Sequence, residues 1–228
     1  MTSRFRVLLL AVVLLQTAAC TRTAEKPMAS AAAAVPAVPY GANAPASGTF
    51  THDGVSLYCE TYGDGQPLLL VHGNGLSIGS LAAQIDFFRK HYRVIAMDSR
   101  DQGRSADSDS PLTYEKMTDD LAALIDHLKL GSVDVIGWSD GGIEALLLGV
   151  RHPSKVKKIV SMAANLNPST NAIYKEVEEL IRSALASTPD SVRNTPAGRR
   201  ALKVTGMVLK EPNIDPTMLE LARCPIRR

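Results

Sequence analysis

The sequence is short of three things: charge of either sign in excess, cysteine, and apolar runs long enough to cross a bilayer. Formal net charge is +2 over 228 residues, and Arg4 and Arg6 account for that surplus. A chain that is neutral beyond its first residues makes no electrostatic case for nucleic acid, which needs a basic patch or stripe. The closing pair Arg227-Arg228 is too short to be a basic tail. Cysteines stand only at 20, 59 and 224. Two distant cysteines do not make a disulfide framework, and core packing is the default for Cys59. No cluster of His, Cys, Asp or Glu has metal-ligand spacing and no phosphate-cradling loop is present, so no metal and no cofactor is implied. Internal repeats are absent too. What remains, 45% hydrophobic residues with a mean hydropathy of zero, is the composition of one globular domain with a full core, not of a disordered or coiled-coil chain.

The N-terminus reads as an export signal. Arg4 and Arg6 form a positive n-region, and Val7 to Leu15 is an apolar stretch of nine residues, against about 20 needed to span a bilayer. Thr17-Ala18-Ala19 then precede Cys20. Residues 1–20 resemble a bacterial lipoprotein signal, which implies lipidation of Cys20, a membrane tether and an exported, periplasmic protein. An ordinary signal peptide cleaved nearby is the alternative. Residues 21–49 hold ten Ala and four Pro in 29 positions with no apolar periodicity, and read as a linker. Pro27, Pro36, Pro39 and Pro45 weigh against an Ala-rich helix.

From residue 50 the pattern is that of a folded domain. Val55 to Tyr62 alternates like a strand, followed by the turn Gly63-Asp64-Gly65. Leu68–Val71 and Val94–Met97 are continuous apolar runs, as expected of strands buried on both faces. Ile78, Leu81, Ile85 and Phe88 have helical spacing. Met117, Leu121, Leu124, Ile125 and Leu128 form one helical face, with Thr113 a candidate N-cap. Val133–Ile136 and Val156–Ala164 read as further strands flanking a helix. This alternation argues a mostly parallel sheet with helices on both faces. Beyond Asn165 come helical patterns without strands, a short helical cap region over 166–220. Ile173, Val177, Leu180 and Ile181 share one face, Leu202–Leu209 is weaker, and Asp215-Pro216 is an N-cap followed by Pro at N1.

Gly137-Trp138-Ser139-Asp140-Gly141-Gly142 lies between the strand at 133–136 and its helix. A serine among glycines on a strand-to-helix turn fits a nucleophile elbow. The glycines are needed because the turn is sharp and its neighbours crowd it. Such a bend lifts the Ser139 hydroxyl above the sheet. The bland reading is a loop serine in a glycine-rich turn.

Four ordered stretches resemble the α/β-hydrolase family over about residues 50–225. His72-Gly73-Asn74-Gly75 resembles its HG oxyanion loop, and Asp98-Ser99-Arg100-Asp101-Gln102-Gly103-Arg104-Ser105 its D-x-R-G-x-G-x-S loop, with Asp101 where the family has Gly. The elbow is the third. Arg151-His152-Pro153 with Val156–Val160 is the fourth. The elbow wording is most similar to serine esterases of this family that resemble valacyclovir hydrolase. The resemblance implies a serine hydrolase acting on a small-molecule ester or acyl substrate. Ser139 would attack, and the main-chain N–H groups of Asn74 and Asp140 would hold the oxyanion. It makes His72 a loop-shaping residue, and Asp98 and Arg100 structural. Trp138 would be a pocket wall or core residue. The Asp140 carboxylate would either attract a cationic acyl substrate or face solvent or Arg100.

In this family an acid and then a histidine follow the elbow, yet no histidine follows His152. Leu221–Pro225 resembles the lead-in to the family's next strand. The sequence therefore reads as an α/β-hydrolase domain over 50–228, truncated, with its last strands, triad acid and triad histidine missing. A bare apolar edge on the 158–164 strand and impaired catalysis are expected. A silent binding module, or a protein that pairs this edge with a partner strand, is the competing reading. Substrate identity and oligomeric state stay open.

Overall fold

In the computed structural model, residues 38–169 and 172–227 are described. The export signal at 1–20, Cys20 and most of the Ala/Pro-rich stretch lie outside them. Seven strands form one sheet in the order β1-β2-β4-β3-β5-β6-β7. They are β1 (Ser47–His52), β2 (Val55–Tyr62), β3 (Gln66–Val71), β4 (Tyr92–Met97), β5 (Val133–Trp138), β6 (Val156–Met162) and β7 (Ile226–Arg227). The β1–β2 and β2–β4 pairs are antiparallel, and every pair from β4 to β7 is parallel.

The continuous apolar runs do what two-sided burial demands. Along β3, Leu68 and Leu70 face one layer, while Leu69 and Val71 face the other. The first layer gathers Tyr58, Tyr62, Val94, Ala96, Ile78 and Ile85 around α1 (Ala82–Phe88). The second packs α2 (Tyr114–His127) and α3 (Asp140–Arg151) through Leu121, Leu124, Ala145 and Leu148. Helices thus cover both faces. The α2 N-cap is Thr113, whose hydroxyl accepts from Lys116 N at 3.2 Å. Between β6 and β7 come α4 (Lys175–Ser187), α5 (Asp190–Arg193), α6 (Pro196–Met207) and a 3-10 turn over Pro216–Leu221. Asp215 caps that turn, accepting from Thr217 N at 2.9 Å.

Several expectations need correction. A strand that the sequence pattern does not predict, β1, precedes the one at Val55. β1 escaped notice because Ser-Gly-Thr-Phe-Thr-His carries one large apolar residue, Phe50, and is stabilised by pairing with β2 rather than by its own pattern. Residues 38–49, assigned to the linker, belong to the folded unit. Tyr40 is buried against Tyr62 and donates to Asp86 at 2.8 Å. The Gly41 and Asn43 amides donate to the buried Glu60 carboxylate at 2.7 and 2.8 Å. Tyr58 and Tyr62 hydroxyls complete that carboxylate's shell at 2.6 and 2.7 Å. The edge of β6 is not wholly bare: Ile226 and Arg227 pair with Ile159 and Val160, and Ile159 N donates to Pro225 O at 3.0 Å. Finally, the apolar face of α4 is only partly covered: Ile181 and Leu185 are half-buried where the helix meets α6, but no residue is fully buried, and Val177 and Leu180 are 43% and 47% exposed.

Candidate functional site

The chain runs β3, β4, then back across β3 to β5, so the loops leaving β3 and β5 meet at a switch point of the sheet. In open parallel sheets, ligands bind at the carboxyl ends of strands at such a point. Ser139 and Asn74 are on those two loops.

Ser139 adopts φ 55°, ψ −121°, a left-handed backbone that non-glycine residues reach only at a cost of about 1–3 kcal/mol, sustained by surrounding structure. That structure is visible. Ser139 N donates to Met162 O of β6 at 2.8 Å, and Ser139 O accepts from Gly142 N and Ile143 N at 2.8 and 3.1 Å. A Cβ at Gly141 would overlap the carbonyl oxygens of Val71 and His72, and one at Gly137 would overlap Gly141 O. Those two glycines let β5 and α3 close to main-chain contact. Ser139 stays half-exposed at the tip.

The loop after β3 abuts this tip. A Cβ at Gly73 would lie 3.3 Å from Ser139 Cβ and 3.1 Å from the Trp138 ring. Neither Asn74 N nor Asp140 N has a protein acceptor among the described residues. Two free amides flank the serine, and one of them opens α3, where the helix dipole favours negative charge. Trp138 is 46% exposed beside them and so is not a core residue.

Asp140 does not face solvent and does not reach Arg100. It is buried; its carboxylate accepts from Asn74 Nδ2 at 2.8 Å and from the Tyr114 hydroxyl. Burial raises its pKa, and those two donors pull the other way. Arg100 instead donates through Nε and Nη2 to both oxygens of buried Asp120, at 2.6 Å each, which makes it structural. Asp98 is structural as well, accepting from Ile78 N and Arg104 N at 2.7 Å each. Asp101 has φ 61°, the backbone state that Asp tolerates and Gly favours. Its carboxylate binds Ser108 N at 2.8 Å and Lys203 Nζ at 3.0 Å.

None of the five imidazoles bonds to Ser139. His72 is buried, hydrogen-bonded from Nδ1 to Gly73 O at 2.8 Å, while Nε2 accepts from Ser99 N at 3.1 Å. Burial lowers its pKa, and both nitrogens are spent on holding loops. His52 bonds Asp120, His152 bonds Asp119, and His127 stacks on Phe50. His91 is exposed after α1. A cavity of about 380 Å³ lies beside the end of β6, lined by Leu146, Ser161, Met162, Ala163, Ala164 and Leu166; Ser139 is not on its wall. Among the described residues no group of three or more His, Cys, Asp or Glu could hold a metal ion.

Sequence reasoning missed two site features. Glu144, one turn beyond Asp140, is buried with both carboxylate oxygens unpartnered. Its neighbours Ala145–Leu148 hinted at an all-round buried helix. Val204 of α6 also joins the site, its carbonyl accepting from Asn74 Nδ2 at 3.1 Å; no local pattern signals a contact across 130 positions.

Comparison with known proteins identifies the family. The human serine hydrolase BPHL is 30% identical over 166 residues, 69% of this chain and 57% of that protein. A non-heme chloroperoxidase of Streptomyces lividans is 34% identical over 149 residues, 60% of this chain and 53% of that one. The chain spans about half the length of the curated relatives it matches. The crystal structure of an enol-lactonase from Burkholderia xenovorans LB400 superposes with a TM-score of 0.61 at 18% identity, covering 78% of this chain and 79% of that one. The family model for the alpha/beta hydrolase fold matches residues 66–202, and the chain belongs to that family.

Proposed function

We propose that this chain is a serine hydrolase of small-molecule esters or related acyl compounds, with Ser139 as nucleophile. The observation that carries this is the strained backbone of Ser139 beside two loops whose amides, Asn74 N–H and Asp140 N–H, have no acceptor among the described residues. A tetrahedral oxyanion formed by attack of Ser139 on an acyl carbon would be held by donors fixed in advance, which costs little reorganisation. The human relative's name as a serine hydrolase fits this class. The substrate itself is a matter for activity screening.

The proton acceptor is the weak point of the 228 residues taken alone. With none of the five imidazoles bonded to it, the Ser139 hydroxyl stays protonated and is a poor nucleophile. Loss of a triad member lowers rate on the order of 10⁴–10⁶, while binding and the oxyanion hole leave a remnant. Impaired turnover follows. A fluorophosphonate probe in excess, read by peptide mass spectrometry, is expected to modify Ser139 slowly and to leave Ser139→Ala unmodified. Absence of label at Ser139, with an ester ligand still raising the melting temperature, favours the second reading: a non-catalytic binding module on the same scaffold, supported by the same lack of a base.

Export and a lipid tether at Cys20 belong to the same proposal. They rest on the n-region, the apolar run and the small residues before the cysteine. Mass spectrometry of the N-terminal peptide from cell membranes is expected to find a diacylated Cys20, and Cys20→Ser to release the protein from the membrane fraction.

A further inference from the structure

The Asn74 side-chain amide is hydrogen-bonded to both the elbow helix and the cap. Its Nδ2 donates to Asp140 Oδ2 at 2.8 Å and to Val204 O at 3.1 Å. Asp140 is held in turn by the Tyr114 hydroxyl at the start of α2. Tyr114, Ile143, Val204 and Met207 are buried together in one cluster under α6. The next residue of the loop is secured from another direction, Gly75 N donating to buried Gln102 Oε1 at 2.7 Å. A primary amide has two N–H donors, and here both have acceptors. Asp140 is buried and Asn74 half-buried, so these bonds are partly shielded from water and weigh more than they would on an open surface.

We propose that Asp140 and the Asn74 side chain are positioning residues that make the oxyanion loop and the seat of α6 one mechanical unit. Asp140 then serves the hole with its carboxylate as well as its amide, and its carboxylate is not a free receptor for a cationic substrate. Shifting α6 moves Val204 O, which drags on Asn74 and through it on the amide beside Ser139. The catalytic sense of this rests on the hydrolase reading; the coupling between the two segments does not.

The experiment uses the full chain and two variants, Asn74→Ala and the near-isosteric Asp140→Asn. Hydrogen–deuterium exchange is followed at residues 73–76 and 196–207, fluorophosphonate labelling of Ser139 in parallel, and thermal unfolding as the check on global folding. Asn74→Ala is expected to raise exchange at both segments together and to slow labelling by about tenfold to a hundredfold, less than outright loss of an oxyanion donor, because the amide is misplaced rather than removed. Asp140→Asn, which keeps the volume but loses one acceptor oxygen, is expected to change both readouts in the same direction. It carries the test if Asn74→Ala does not fold. Unchanged exchange at 73–76 in a folded variant overturns the coupling, as does loosening of one segment without the other. Failure of the unmodified chain to label removes the nucleophile assignment instead, and the exchange data still decide the coupling.

Discussion

Glu144 follows Asp140 by one turn of α3, and the two carboxyls are buried side by side with very different company. Asp140 has two donors, Asn74 and Tyr114; Glu144 has none at either oxygen. Burial pushes the Glu144 pKa well above the ordinary range, and the charges of Asp140 and Asp120 push it the same way.

An acid whose folded pKa is raised binds its proton more tightly in the folded state, so stability is greatest below the unfolded pKa and falls as pH rises toward the folded one. The chain is therefore expected to lose stability from about pH 4.5 upward on account of Glu144. Glu144→Met, close in shape and apolar, is expected to stabilise the protein at pH 8 by about 1–3 kcal/mol and to flatten that slope. Urea denaturation at several pH values measures both.

Arg100 and Asp120 are each almost fully buried and joined by two bonds. Asp120→Ala strands a guanidinium in the core and is expected to cost about 3–5 kcal/mol. Equilibrium denaturation checks it, and a loss under 1 kcal/mol would mean that water reaches Arg100.

Two glycines are expected to behave oppositely. Gly141→Ala drives a methyl group into the carbonyls of Val71 and His72 and is expected to yield insoluble protein or a melting temperature lower by at least 10 °C, a cost of several kcal/mol. Gly206→Ala lies inside α6 with open space before it and is expected to stabilise by about 0.5–1 kcal/mol through helix propensity.

Asp101 combines a left-handed backbone with a latch. Asp101→Gly keeps the φ of 61° but releases Lys203 Nζ and the Ser108 amide. Faster hydrogen exchange in α6 is expected. Asp101→Ala is expected to be less stable than the glycine variant by about 1 kcal/mol, because alanine also bears the steric cost of positive φ.

The buried thiol of Cys59 has its pKa raised to about 11, chiefly by burial, whereas Cys224 is only half-buried. Maleimide under native conditions is expected to label Cys224 and to reach Cys59 only on unfolding.

Whatever depends on neighbours along the chain was legible in the residue pattern. Apolar runs at 68–71 and 94–97 became the central strands because burial on both faces leaves no polar alternation. Thr113 and Asp215 became caps because a side-chain oxygen two or three positions ahead satisfies an otherwise free helical amide. The elbow was legible because its glycines answer a crowding that is local to one turn. Tertiary structure decided the rest. It turned Ser47–His52 into a strand by supplying a partner, gathered Gly41, Asn43, Tyr58 and Tyr62 around Glu60, left Val177 and Leu180 of α4 exposed, and closed Asn74 onto Asp140 and Val204. Those outcomes turn on contacts between residues far apart in the chain. Periodicity and short motifs carry no record of such distances, so only packing could settle which polar groups the core would take in and which partners they would find there.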